Sequence, residues 1–166
     1  MPGRIGFRVR APWVRPDADA LAAFGRASSA NVADCMSRMG AMDIGIKPVW
    51  PSPRAIGSAL TVWCHSGDNL MLHKSLTVAR AGDIVVMNTQ GNVSNSGFGG
   101  LLAASCLKIG IRAVIVDGTV RDSGNCRRWG FRFMRAALRR MAATRMAAVK
   151  WGRLLHAAGW RCGREM

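Results

Sequence analysis

Acidic residues are scarce in this chain. Nine stand against 24 Lys and Arg in 166 residues, Glu165 is the single glutamate, and the formal net charge is +15. Long apolar runs are missing as well: stretches such as AVIV at Ala113 to Val116 extend over only a few residues, far below the roughly 20 that a membrane-spanning helix needs. A soluble chain is therefore expected. The opening MPGRIGFRVRAPWVRPDADA carries charge without an apolar stretch, so no secretory leader is expected and a cytoplasmic setting is. Five cysteines at 35, 64, 106, 126 and 162 are odd in number and irregular in spacing, which excludes a disulfide framework and paired zinc knuckles. Reduced thiols, mostly in the core, are the expectation. No internal repeat or heptad runs through the sequence, and its length leaves room for one ordinary domain with a sizeable core.

The charge is unevenly spread. Residues 1 to 126 hold 13 Lys and Arg against 8 Asp, a net of +5, whereas residues 127 to 166 hold 11 against Glu165, a net of +10. A balance of this kind ordinarily points to nucleic acid, but here the last quarter of the chain carries two thirds of it.

Up to residue 126 the pattern alternates between helix and strand. Asp17 or Asp19 can cap a helix through Leu21 and Phe24. A second helix places Val32, Cys35, Met36 and Met39 at the i, i+3, i+4, i+7 spacing of one buried face, with Gly40 as its stop. Three prolines within residues 47–53 make an irregular, rigid stretch, and SALTVWC after it is a β-type run. Asp68 then opens a helix with Leu72, Leu76 and Ala79 on one face, ended by Gly82. IVVM is the next buried strand. A loop rich in Gly and Asn leads into a helix expected to turn Phe98, Leu101, Leu102, Cys106 and Ile109 inward, and AVIVDGTVRDSG is a buried strand ending in a polar turn. Such alternation predicts a layered α/β domain.

Two segments concentrate groups that suit a binding site. Glycines at 97, 99 and 100 leave backbone N–H groups uncovered at a helix start, where an anionic carboxylate or phosphate is held. In VDGTVRD, Arg121 and Asp122 follow a buried strand: an arginine grips a carboxylate through two parallel hydrogen bonds, and a neighbouring aspartate offers oxygen to a hard divalent cation. Each segment alone is more often a packing turn or a solvated one. Asp68 and Asn69 read as helix caps, Asp117 as a turn-forming carboxylate, and His73 as a helix-surface or interface residue. Cys64, His65 and His73 lack a second pair at ligand spacing, so no zinc site is expected.

Taken together and in order, GSALTV, GDNLMLHKSL, ARAGDIVVMN and GFGGLLAASCLKIGIRAVIVDGTVRD resemble the family that joins the regulator of ribonuclease E activity (RraA) to the class II, metal-dependent 4-hydroxy-4-methyl-2-oxoglutarate aldolases. The resemblance covers roughly residues 17 to 133. It implies an α/β sandwich of swivelling-domain topology, a homotrimer with its site at a subunit boundary, and aldol cleavage of short 2-keto acids to pyruvate with oxaloacetate decarboxylation. It further implies that Arg121 holds the substrate carboxylate, that Asp122 holds Mg or Mn, and that Gly99, Gly100, Leu101 and Leu102 supply backbone amides. Members that act as aldolases usually carry an acid 21 positions before the arginine, where this chain has Gly100. That departure favours the alternative the same resemblance offers, a noncatalytic regulator that binds a ribonuclease or another protein.

Beyond Phe133 the resemblance lapses. Where the family continues with a GFPVYARG-like stretch and later a GGVxVxPGD-like one, this chain reads GFRFMRAALRRMAATRMAAVKWGRLLHAAGWRCGREM. Restoring one base near Arg132 permits PVYARG and, further on, GGVAVRPGD, so a frame slip in the coding DNA is one account of the tail and the preferred one. It implies a domain over residues 1–133 that lacks its closing strands, a helical or loosely packed basic tail over 134–166, and an unpaired sheet edge beside AVIV. The other account is an amphipathic basic helix from about Phe133 to His156 that binds RNA or an acidic partner. On the preferred account, nucleic acid is not an expected partner despite the charge.

Overall fold

A computed structural model describes residues 8–10, 14–51, 53–135 and 144–145. Two helices come first, α1 (Ala18–Arg26) and α2 (Ser29–Cys35). Asp17 is the cap of α1, its Oδ1 accepting the Ala20 N–H at 2.6 Å. The guanidinium of Arg54 closes the other end, donating to the carbonyls of Phe24, Gly25 and Ala27. Helix α2 stops at Cys35, short of Gly40, because Ser37 and Arg38 both adopt positive φ. Neither helix has a buried residue, and Met39 is 46% exposed. The face expected on Val32, Cys35, Met36 and Met39 is thus not covered by the chain's own core.

The main sheet takes strands β1 (Lys47–Pro48), β2 (Ala59–Trp63), β3 (Ile84–Asn88), β5 (Ala113–Asp117) and β7 (Phe133–Arg135) in the order β1-β7-β5-β3-β2. β2, β3, β5 and β7 run parallel, and β1 pairs antiparallel to β7. Every residue of β5 is buried, as a strand covered on both faces requires, and its run of Ala, Val and Ile suits that position. β2 lies at the edge and leaves Trp63 72% exposed. A second sheet of three short strands, β4 (Ser96–Phe98), β6 (Thr119–Val120) and β8 (Thr144–Arg145), pairs β4 parallel with β6.

Three helices complete the fold: α3 (Leu70–Leu76), α4 (Gly100–Ile109) and α5 (Ser123–Arg128). Leu72 of α3, Leu102, Ala103 and Cys106 of α4 and Cys126 of α5 face the core with Val85, Met87, Val114 and Val116. Phe98 and Phe131 stack with ring centroids 6.2 Å apart. Helix α4 ends at Gly110, whose φ of 87° lets its N–H reach the carbonyls of Cys106 and Leu107, a left-handed cap that glycine adopts without strain. Phe98 is buried as expected, though in β4 and not in the helix, whereas the expectation for Leu101 fails: it is 80% exposed and Ala103 takes the inward place.

The tail also departs from expectation where it is described. Phe133–Arg135 and Thr144–Arg145 are strands, not helix. β7 pairs Val114 with Phe133 and Ile115 with Met134, so the edge of β5 expected to lie open is covered. The domain boundary expected at Phe133 falls at the start of this strand. The remaining tail positions, 136–143 and 146–166, lie outside the described residues. Among the described residues, no helix is long and apolar enough to cross a membrane.

Candidate active site

The pairing of β4 with β6 decides where the chemistry sits. The Arg121 N–H donates to the Phe98 carbonyl at 3.0 Å, and this lays the Arg-Asp turn across the start of α4. Asp122 then adopts the left-handed backbone (φ 59°, ψ 28°), a conformation that aspartate tolerates better than most residues. It stands at the cap position of α5 but makes no side-chain bond to that helix. Its Oδ2 accepts the N–H of Gly100 at 3.0 Å, and Arg121 Nε lies 3.7 Å from the same oxygen. Glycine at 99 is required by this approach: a Cβ there would come within 2.9 Å of Asp122 Oδ2 and 3.0 Å of Arg121 Cγ and Nε.

The result is an open cleft of about 130 Å³. On one side stand Arg121, Asp122 and the first turn of α4, with Gly99, Leu101 and Leu102 lining it. The amides of Leu101 and Leu102 have no acceptor within the helix, as for any first turn, and the positive end of the α4 dipole adds to the guanidinium. Asn69 at the cap position of α3, His73 within α3, and Ser96 and Phe98 of β4 also line the cleft. The structure therefore brings together Arg121, Asp122, Gly99, Leu101 and Leu102, with Gly100 contributing its amide to Asp122.

Sequence reasoning placed His73 on a helix surface or interface without assigning it to the cleft. It also gave Asn69 a capping role that the structure moves to its neighbour: Asp68 Oδ1 accepts the Leu70 N–H at 3.0 Å, and Asn69 makes no side-chain cap bond. The usable signal was the i, i+4 spacing of Asn69 and His73, which turns both to one face. Asp117 is 2% exposed, and its Oδ2 accepts the Gly91 N–H at 3.1 Å while Oδ1 has no hydrogen-bond partner among the described residues. Burial raises its pKa, against the opposing Gly91 bond. Its backbone carbonyl also holds the N–H and hydroxyl of Thr89, so Asp117 anchors the loop after β3. The three described core thiols are inert by burial: Cys64 is pushed up to about 11 and Cys106 to about 12, and Cys126 is raised too.

Among the described residues, no group of three or more His, Cys, Asp or Glu could hold a metal ion. The site offers a single carboxylate, with Asp122 Oδ2 taken by Gly100 and Oδ1 without a hydrogen bond among the described residues. This donor set does not suit a dehydrated ion caged by protein. It does suit one that keeps most of its waters and takes one carboxylate together with oxygens of the substrate, as Mg does. An acid in place of Gly100 would find room, since a Cβ there meets Asp122 Cβ and Oδ2 at 3.5 Å, an ordinary contact.

Comparison with known proteins gives the family and the fold. The RraA-like family model, described as Aldolase/RraA, matches residues 29–161, and the chain belongs to that family. The match runs past Phe133, where the resemblance read from the residues lapses. A protein of Halalkalibacterium halodurans named "Putative 4-hydroxy-4-methyl-2-oxoglutarate aldolase" is 30% identical over 91 residues, which are 55% of this chain and 43% of that protein. The match thus spans less than half the length of this relative. Among solved structures, Streptomyces coelicolor RraAS2, described as an unusual member of the RNase ES inhibitor RraA protein family, superposes with a TM-score of 0.64 at 20% identity, covering 80% of this chain and 73% of that one. The RNA-processing inhibitor RraA from Thermus thermophilis gives 0.59 at 21%, covering 75% and 76%. A protein of Pseudomonas syringae gives 0.66 at 18%, covering 87% and 70%. These likenesses show the α/β fold.

Proposed function

We propose that the chain is a lyase of short 2-keto acids, cleaving 4-hydroxy-4-methyl-2-oxoglutarate-type substrates to pyruvate and decarboxylating oxaloacetate with Mg or Mn. The observation that carries this reading is the convergence of the Arg121 guanidinium, the first turn of α4 and the Asp122 carboxylate on one small cleft. Arg121 holds the 1-carboxylate of the substrate through its planar fork. The Leu101 and Leu102 amides take the remaining lone pairs of that end, and Gly99 keeps the approach open. A divalent cation held at Asp122 supplies Lewis-acid stabilisation of the enolate when bound. Phe98 and Leu102 give the cleft an apolar side that strengthens these charge interactions. The test is pyruvate release from both substrates with Mg or Mn; a folded chain that yields none overturns the reading.

A second reading rests on Gly100, which leaves the site one carboxylate instead of two. In it the chain is a noncatalytic regulator that binds a ribonuclease or another protein. Capture of ribonuclease E by the purified chain at low salt supports it, and no capture counts against it. In either case we propose a cytoplasmic homotrimer, the state that the family resemblance implies; α1 and α2 bury nothing within one chain and Leu70 and Leu101 stand 52% and 80% exposed, which supports a contact with other copies. Light scattering after size-exclusion chromatography would return a monomer mass if this is wrong.

A further inference from the structure

The end of the main sheet opposite the cleft is rich in arginine. Helix α4 starts at the cleft with Gly100 and ends about 15 Å away, beside the starts of the strands. Backbone hydrogen bonds tie residues 54–58, 80–84, 110–114 and 132 into one rim there. The Ile84 N–H donates to the Ser58 carbonyl, Gly82 to Gly110, Arg112 to Asp83 and Val114 to Arg132. This rim carries Arg54, Arg80, Arg112 and Arg132. Its one acid, Asp83, is buried and paired with Arg15 at 2.8 Å. Asp17 and Asp19 belong to the start of α1, the end away from Arg54, and Asp17 is engaged by the Ala20 amide.

Three of these side chains have local tasks, but the tasks leave their charge standing. Arg112 Nη1 donates to the Ile56 carbonyl at 2.7 Å, Arg132 Nη1 to the Arg54 carbonyl at 3.3 Å, and Arg54 to the end of α1. A carbonyl takes one hydrogen without cancelling the charge, and a guanidinium has five N–H groups to give. Arg80 has no side-chain partner among the described residues, and Arg54, Arg80 and Arg112 are exposed. The carbonyls that hold Arg112 and Arg132 are two residues apart, hence separated by at most about 7 Å, the scale of neighbouring phosphates on one nucleic acid strand. An arginine fork suits phosphate oxygens. Between the arginines stand small residues, Ala55, Gly57, Ala81, Gly82 and Gly110, and none of the exposed large apolar side chains lies in the rim, so nothing here would enter a lipid layer. Arg54, Arg80 and Arg112 precede residue 127, which makes this surface separate from the basic tail.

We propose that this rim binds the phosphate backbone of single-stranded nucleic acid, independently of the lyase reading. Because a copy docked on α1 would stand beside Arg54, binding is measured on the full chain as it assembles. The probe is a labelled oligouridylate of about 12 nucleotides, followed by fluorescence anisotropy from about 50 to about 200 mM salt, over which log K should fall linearly with log salt. Changing Arg80→Gln, Arg112→Gln and Arg132→Gln together should weaken binding at least about tenfold at the lowest salt and reduce the slope by about 2, at about 0.7 per phosphate contact on a single strand. Lysine at the same three positions should keep most of the slope. If the glutamine triple variant melts early, Arg80→Gln alone should still reduce the slope by about 0.7, and an unmoved slope overturns the proposal. Arg139→Gln, Arg140→Gln and Arg153→Gln together should weaken binding less than the rim variant does. An equal or larger loss in that tail variant assigns the binding to the tail and overturns the proposal, as does the absence of binding at the lowest salt. Displacement of the probe by polyglutamate of equal charge as readily as by unlabelled oligouridylate overturns the choice of nucleic acid as partner.

Discussion

Gly99→Ala separates the site from the fold. The backbone at 99 is extended (φ −155°, ψ −171°), so alanine brings no torsional strain. The added methyl would instead lie 2.9 Å from Asp122 Oδ2 and 3.0 Å from Arg121 Cγ and Nε, distances at which side chains must move. Both neighbours are exposed side chains and can swing away. Asp122 then loses its bond to the Gly100 amide. A hydrogen bond to a charged group is worth about 1.5 to 3 kcal/mol, and exposure to solvent puts this one below that range, so stability should fall by about 1 kcal/mol. For a chain of this size that lowers Tm by about 2 to 4 °C. Displacing the Arg121 fork from the α4 amides should weaken pyruvate or oxalate binding at least about tenfold, or about 1.4 kcal/mol. Titration calorimetry and urea unfolding on one preparation give the two numbers. Gly124→Ala is the control: a Cβ there meets nothing within 4 Å, and in α5 alanine is neutral or stabilising by up to about 1 kcal/mol. Unchanged affinity in the 99 variant, or a loss of stability several times the loss of binding, would refute the claim that Gly99 serves the site.

Arg121→Lys keeps the charge but loses the fork, and kcat/KM for pyruvate release should drop at least about tenfold; unchanged kinetics would remove Arg121 from the site. Gly118→Ala should cost about 3 kcal/mol or more, because φ is 155° and the new Cβ would overlap Thr89 Oγ1 and crowd the Asn92 carbonyl at 3.1 Å; a cooperative melt like that of the unaltered chain would contradict this packing. Asp117 titrates above its ordinary 3.8 because burial disfavours its charge. Between 3.8 and the raised folded value the native chain keeps a proton that the unfolded chain has released, so this contribution favours folding at low pH and is lost as pH rises through the folded pKa. Asp117→Asn should flatten that part of the curve of Tm against pH, and a curve of the same slope would exclude Asp117 as its source.

Much of the fold and part of the site follow from local chemistry. Short apolar or β-type runs located β2, β3 and β5, a capping aspartate located α1, and period-3.6 spacing located α3 and α4, because a helix that packs must show one face to the core. Glycines before a helix and an Arg-Asp pair after a buried strand named the residues that meet in the cleft, since turn chemistry is written in sequence. What local pattern could not carry was direction and partner. Asp122 reads locally as part of a polar turn, and it is the parallel pairing of β4 with β6 that turns it to an amide 22 residues away. Leu101 fits an inward helical face by spacing, yet α4 docks through Leu102, Ala103 and Cys106 and leaves it in solvent. The tail after Phe133 has a helix-like composition, but at Phe133–Arg135 an open edge of β5 offers backbone hydrogen bonds that outweigh propensity. His73 enters the site for the same reason: a surface position on one helix becomes a wall once another element is packed opposite it. Sequence by itself determined which segments could bury a face and which residues could bind an anion, while the long-range pairing of strands decided which of them face each other, because contacts between distant residues depend on register and docking, to which no local period responds.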